Sequence, residues 1–154
     1  YVDSTVQHGL VAAMEDLTEG ATIDSEGNPG YPWGCNGTSL TGADGQAIGT
    51  GYQNTLDIVS ECSETPIAAS EALIYQSGGY DDWYLPSIDE MYLMYNNIGP
   101  YSDYVNLSNI VTSYYWSSSN NSGGGAWAVV HHNYGEISEI AKFNSLKVRP
   151  IRSF

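Results

Sequence analysis

The chain has 154 residues, 42% of them hydrophobic, and a mean hydropathy of −0.27. A single domain fits this length and can bury roughly 70% of its unfolded surface without disulfide staples. Its 18 Asp and Glu against 4 Lys and Arg give a formal charge of −14, a sign that repels DNA, RNA and anionic lipid and excludes nucleic-acid binding. The longest apolar runs, Leu10 to Met14 and Ala126 to Val130, hold five residues each. A membrane-crossing helix needs about 20, so no membrane insertion is expected.

All four cations, Lys142, Lys147, Arg149 and Arg152, fall in the last 13 positions, and the first 141 residues carry all 18 carboxylates. The two cysteines, Cys35 and Cys62, have two readings. Paired, they close a loop of 28 residues and stabilise the fold by roughly 3–4 kcal/mol in the chain-entropy account. Unpaired, they are buried thiols of a cytosolic protein. Lysine scarcity and many Gly, Asn, Ser and Tyr favour the pair and an exported protein. No Cys-x-x-Cys spacing supports zinc or thioredoxin-type chemistry. Tyr1 opens a polar stretch rather than a signal peptide, so export implies a mature form or an excised domain.

Residues 1–7 read as an N-terminal strand or linker, with Val2, Ser4 and Val6 alternating weakly, ahead of a single domain over 8–154. HGLVAAMED, His8 to Asp16, is a buried strand or a helical turn. Thr18 to Gly51, with nine glycines and two prolines, has no period; a loop that long is usually functional or pinned by a crosslink or ion. Tyr52 to Cys62 predicts a short helix with Leu56 and Val59 on its apolar face. A second helix is expected with Thr65 as its cap, Pro66 at its first position and Gly78-Gly79 at its end. In PSIDEMYLMYNNIG, Ser87 and Glu90 make a capping box, and Ile88, Met91, Met94 or Tyr95, and Ile98 form one stripe before Gly99-Pro100. SYYWSSS, AWAVVHH and LKVRPIRSF read as strands separated by turns at Asn120–Gly125 and Asn133–Gly135. The fold class is α+β, with helices in the middle and a sheet built largely from the two ends.

GGYDDWYLPSIDEMYLMY, then YYWSSS, AWAVV, NYG and the terminal KVRPIRSF, with HGLVAA and the Trp-Gly of YPWG upstream, together resemble the Lcl C-terminal domain family from His8 to Phe154. The resemblance implies a C-type-lectin-like fold, related to that of the formylglycine-generating enzymes, with a small twisted antiparallel sheet, two or three helices and long loops. It also implies an exported or surface-displayed bacterial protein, often carried on collagen-like stalks or fibres. Some relatives are adhesins for host polysaccharide and others are hypervariable proteins. The motif residues have a physical reading as well. Trp83, Leu85, Trp116, Trp127 and Val148 suit a sheet core. Arg149 and Arg152 are expected to pair with carboxylates such as Asp82 or Glu90, tying the C-terminal strand to the helices.

Function then falls to the loops. Asp24, Glu26 and Asn28 place oxygens at alternate positions of a Gly-containing turn, and Asp81, Asp82 and Asp44 add loop carboxylates, a supply that suits calcium. The EF-hand spacing is absent, as are the Glu-Pro-Asn and Gln-Pro-Asp triplets of calcium-dependent sugar binding. His131 and His132 alternate faces on a strand and cannot share one metal. Asn120, Asn121, Ser122, His132, Asn133, Tyr134 and Asn144 are expected to form one exposed patch, since Tyr, Ser, Asn and Gly build adaptable recognition surfaces. Thirteen tyrosines exceed what a core needs, so some face solvent. There is no Gly-x-Ser-x-Gly elbow, phosphate loop or His-Glu-x-x-His helix. The late cysteine pair of the formylglycine-generating enzymes has no counterpart after residue 62, and no enzyme is expected. The expected function is an extracellular or bacterial cell-surface binding module for a glycan or protein ligand. The alternative is a structural subunit forming a trimer, another homo-oligomer or a fibre, with Val2 to Gln7 adding to a neighbour's sheet edge.

Overall fold

The computed structural model describes residues 8–102, 109–122, 124–130 and 135–154, and the segment Val2 to Gln7 lies outside them. β1 (Leu10–Ala12) pairs antiparallel with β7 (Ile151–Ser153), Leu10 opposite Ser153 and Ala12 opposite Ile151. Gly9 and Phe154 exchange backbone hydrogen bonds of 3.0 and 3.1 Å just beyond. The early apolar stretch is therefore a strand, closed against the end of the chain. β7 is shorter than the apolar pattern of LKVRPIRSF predicts, because Pro150 has no N–H and the residues before it keep changing partner. Leu146 bonds Tyr31, Lys147 bonds Tyr114 and Trp116, the Val148 carbonyl accepts from Leu17, and Ile151 pairs with Tyr84 as well as with β1. The terminal motif stitches four separate segments together.

β4 (Tyr114–Asn120), β5 (Gly125–Val130) and β6 (Glu136–Ala141) form an antiparallel meander. β6 is not anticipated in the sequence: EISEIA has no period-two pattern, and Ile137 and Ile140 fall on opposite faces. The β4–β5 register shifts between Trp116, opposite Ala128, and Asn120, opposite Ala126. Ser117, Ser118 and Ser119 occupy this irregularity and are fully buried. The Ser117 hydroxyl donates to Trp127 O (2.6 Å), Ser118 accepts from the Asn54 amide (3.2 Å) and Ser119 donates to Gly45 O (2.7 Å). Three small hydroxyls thus let a bulged strand receive a helix and a loop with each serine hydroxyl hydrogen-bonded. In place of one sheet, the strands form the meander, the β1–β7 pair, and a hairpin of β2 (Thr22–Ile23) with β3 (Pro29–Gly30).

α1 (Gly51–Glu61) buries Gly51, Asn54, Thr55 and Ile58, whereas Val59 is exposed and Leu56 half-buried. The expected Leu56–Val59 face is corrected by hydrogen bonding. Leu85 N donates to the Thr55 hydroxyl (3.1 Å) and the Asn54 amide donates to Gly45 O (2.6 Å), so polar residues face inward at no cost. α2 (Ala68–Ile74) starts with Ile67 as its cap residue, after a cis Thr65–Pro66 bond, and ends before Tyr75. Thr65 is not its cap, Pro66 is not in its first turn, and Gly78-Gly79 lies beyond its end. α3 (Ile88–Ile98) is as expected: Glu90 N donates to the Ser87 hydroxyl (3.3 Å) and Ser87 N to the Glu90 carboxylate (2.8 Å).

β4 and β5 are covered on both faces, whereas β6 is half to fully exposed. Trp116, Ala126 and Ala128 pack with Trp33, Ile58, Ile67, Leu85 and Val148, while Tyr115 and Val129 pack with Ile88, Met91, Tyr95 and Ile151 on α3 and β7. This three-layer α+β arrangement follows from strand alternation. The long loop from Thr18 is pinned to it at many points. Cys35 and Cys62 form a disulfide with Cα atoms 5.7 Å apart. The Glu61 carboxylate accepts from Thr41 N (2.9 Å) and Gly42 N (3.2 Å), and the Glu90 carboxylate from Gly49 N (2.9 Å).

Candidate functional site

Antiparallel register decides which loops can meet. Gly125 lies opposite Ala141, and Asn120 opposite Ala126, so the turn after β4 and the turn after β6 share one end of the meander. Tyr114, Val130 and Glu136 mark the other end. The five steps from Gly125 to Val130 span about 17 Å at ~3.4 Å per residue. His132, Asn133 and Tyr134 lie outside the described residues, so of the patch expected from Asn120 through Asn144 the structure describes Asn120, Asn121, Ser122 and Asn144.

At the near end, Asn121 N donates to Gly125 O (3.0 Å) and Gly124 N to Asn121 O (3.2 Å), with Gly124 at φ +92°, where a side chain would strain the turn. Ser122 is exposed and its hydroxyl donates to Asn121 Oδ1 at 3.4 Å. Asn144 donates from its backbone (3.0 Å) and its side chain (2.9 Å) to Ala141 O, closing the second turn. Phe143, next to Asn144 in the second turn, is 66% exposed. The sequence reading missed it, although the polar run around Phe143 in AKFNS carries a turn signature.

Asn120 belongs to the inner layer instead. It is 7% exposed, its N–H donates to Ala43 O (2.6 Å) and its amide to Leu40 O (3.0 Å). Its expected place on an exposed patch is corrected accordingly, because it clamps the long loop. Lys142 is also fully buried, donating to Thr38 O (2.9 Å) with its ammonium 4.4 Å from the Trp33 ring centroid. Burial pushes that ammonium's pKa down.

The carboxylates expected to hold calcium fall in two separate clefts, one lined by Asp24, Glu26 and Asn28, the other by Asp81. Asp24 Oδ1 accepts from Glu26 N (2.9 Å) and Asn28 N (2.8 Å), and its Oδ2 from the Asn28 amide (3.2 Å). These bonds hold the Asp24 carboxyl below the usual carboxylate range, the Asn28 backbone contributing most. The Asn28 side chain thus turns its amide nitrogen to Asp24, while its carbonyl accepts from Asp24 N at 3.0 Å. Both Asp82 oxygens accept from Arg152, at 2.7 and 2.8 Å, and this pairing lowers the Asp82 pKa. Among the described residues, one trio of ligand-type groups comes within 4.8 Å, Cys35, Cys62 and Glu64, and its sulfurs are spent in the disulfide.

The remaining cations are also committed. Arg149, 1% exposed, lies 2.7 Å from Asp16, which also accepts from the Tyr115 hydroxyl (2.9 Å) and has Lys147 at 3.6 Å. The expected pairing of Arg152 with Asp82 is present. Glu90 instead caps its own helix, and the partner of Arg149 is Asp16.

No helix among the described residues is long and apolar enough to cross a membrane. Together these features define an α+β scaffold with a crosslinked loop layer and, among the described residues, exposed turns at one end of its meander. A family model, the Lcl C-terminal domain, matches residues 23–152, and the chain belongs to that family. No curated protein matches the chain.

Proposed function

We propose that this domain is a non-enzymatic extracellular binding module that recognises a glycan or protein ligand through the near end of the meander, with Asn121, Ser122, Phe143 and Asn144 as contacts. The observation that carries the reading is the 66% exposed Phe143 ring among amide and hydroxyl side chains, over an inner layer fixed by Asn120 and Lys142. Aromatic anchors with adaptable polar neighbours, held on a rigid support, are the composition of recognition surfaces. The disulfide supports an oxidising location, and it occupies both cysteines, so no thiol nucleophile is available. Binding of the labelled domain to a combined glycan and peptide array tests this, with calcium and again with chelator. A hit weakened by about ten-fold in Phe143→Ala supports the site. Loss of hits in chelator would assign an ion to the acidic loops, and hits indifferent to Phe143→Ala would refute the site.

One observation favours a second reading, the structural subunit. Among the described residues β6 pairs with β5 alone, leaving its outer edge open to a second copy. Glu136 and Glu139 on that strand oppose such pairing, as charged residues do on native edges. Light scattering that grows with concentration, and is abolished by deleting residues 1–7, would support assembly.

A further inference from the structure

We propose that Asn36 is a site of spontaneous covalent modification, where the Gly37 backbone nitrogen displaces the side-chain amide as ammonia. Aspartate or isoaspartate is left in the turn between the disulfide and the Lys142 contact. Asn36-Gly37 is the one Asn-Gly pair in the sequence. The pair takes the two central positions of a turn closed by Thr38 N, which donates to Cys35 O at 3.1 Å. Gly37 has φ +79°, the conformation a type II turn requires at its third position. Asn36, Gly37 and Thr38 are all exposed, and an added Cβ at Gly37 would meet nothing within 4 Å. Among the described residues, no hydrogen bond holds the Asn36 amide or the Gly37 N–H. Other asparagines are held. Asn54 and Asn120 are buried and donate to Gly45 O and Leu40 O, and Asn144 donates to Ala141 O. Asn28 precedes Pro29, which has no N–H to give up.

The reaction consumes only water. The Gly37 nitrogen attacks Asn36 Cγ, forming a C–N bond and closing a five-membered succinimide. The bond from Cγ to the side-chain nitrogen breaks, and ammonia leaves with the proton that Gly37 gives up. Water then opens the ring at either carbonyl. One opening gives aspartate, and the other gives isoaspartate, in which the main chain runs through the side-chain methylene. Glycine suits the attack because it has no side chain to obstruct the approach of Cγ. Either product places a carboxylate next to Cys35, whose N–H already donates to the Glu64 carboxylate at 2.9 Å. Isoaspartate also lengthens a segment that is fixed on both sides. Cys35 is crosslinked to Cys62, and Thr38 O accepts from the buried Lys142 ammonium at 2.9 Å. That ammonium pairs with no carboxylate among the described residues, so Thr38 O and the Trp33 ring are what hold it. Conversion at Asn36 therefore loosens the Lys142 contact and opens the loop layer around it.

The test follows the disulfide-bonded domain by peptide mapping during incubation in mildly alkaline buffer, with amine-reactive labelling of Lys142 at each time point. We expect a gain of about 1 Da confined to the peptide that carries Asn36, at a rate within about ten-fold of the same sequence as a free peptide. Asn36→Gln should abolish that gain. Lys142 labelling should rise at least about two-fold in the converted fraction and stay level in Asn36→Gln. Conversion at Asn36 slower than about a tenth of the free-peptide rate means that the folded turn protects it, and overturns the site. A gain that appears at Asn121 or Asn144 in its place overturns the site as well. Conversion at Asn36 with level Lys142 labelling overturns the coupling to Lys142 and leaves the modification site standing.

Discussion

Arg149 can sit in the core because Asp16 is there to meet it. The guanidinium also donates to Ala13 O at 3.0 Å, and the same carboxylate takes the Tyr115 hydroxyl. Truncating one member of a buried charge pair strands the other, so Arg149→Ala should cost about 3–5 kcal/mol in urea denaturation. Arg152→Ala should cost about 1 kcal/mol or less, since Asp82 is half exposed and water screens the pair. The motif at the end of the chain pointed to carboxylate partners for both arginines. It could not single out Asp16, which is 133 residues away from Arg149, or show that Glu90 was already committed to Ser87. Titration follows from the same contacts. The folded pKa values of Asp24, Glu61 and Asp82 lie below their ordinary ones, through hydrogen bonds from Asn28, Thr41 and Arg152 in turn. Their stabilisation is full above the unfolded carboxylate range, near pH 4, and is lost as pH falls through the folded values. The thermal midpoint should therefore hold from about pH 7 to 5 and drop below about pH 4. At the alkaline end, burial pushes the Tyr31 hydroxyl up to about 12 and raises Tyr84 and Tyr115 as well. Their contribution is full below about pH 10 and is lost as pH rises through the folded values. Absorbance titration at alkaline pH should show these tyrosines ionising late and together with unfolding.

At the scale of elements, the third helix was legible because its capping box, stripe and stop all agree. The first helix was legible in extent but not in orientation: Asn54 and Thr55 look solvent-facing until the loop and strand that bond them are in place. Gly51 opens that helix where a Cβ would collide with the Glu90 carboxylate and come within 2.7 Å of Ser87 N. Gly51→Ala should therefore destabilise despite the better helix propensity of alanine, and thermal unfolding should show a lowered midpoint. The long loop was expected to be functional or pinned, and it is pinned. Removing one pin by Cys35→Ser with Cys62→Ser should cost roughly 3 kcal/mol and raise hydrogen exchange through the loop more than in the meander. An unchanged exchange pattern would assign the loop's order to Glu61, Asn54 and Asn120 alone.

For the molecule as a whole, the α+β class and the family were readable from motifs that turn out to be scaffold. Trp116, Leu85 and Val148 are fully buried, and Trp83 nearly so. The candidate site was only partly readable. Residue type drew attention to Asn121, Ser122 and Asn144, but type carries no information on which end of a meander a turn occupies. The pairing of the unpatterned strand β6 sets that, bringing the turn of Asn144 to the same end as that of Asn121. Asn120 was misplaced for a related reason: its amide serves the long loop, a contact about 80 residues away in sequence. Charge was legible as a distribution: all four cations fall in the last 13 positions, and the structure places each of them in an internal contact.

The most direct test of the central claim is the affinity of one array hit for three proteins: the parent domain, Phe143→Ala and Tyr134→Ala. If the near end of the meander is the binding surface, Phe143→Ala weakens binding by about ten-fold or more and Tyr134→Ala leaves it within about two-fold. Equal loss in both, or loss in Tyr134→Ala alone, would contradict the account and assign binding to the segment that carries Tyr134.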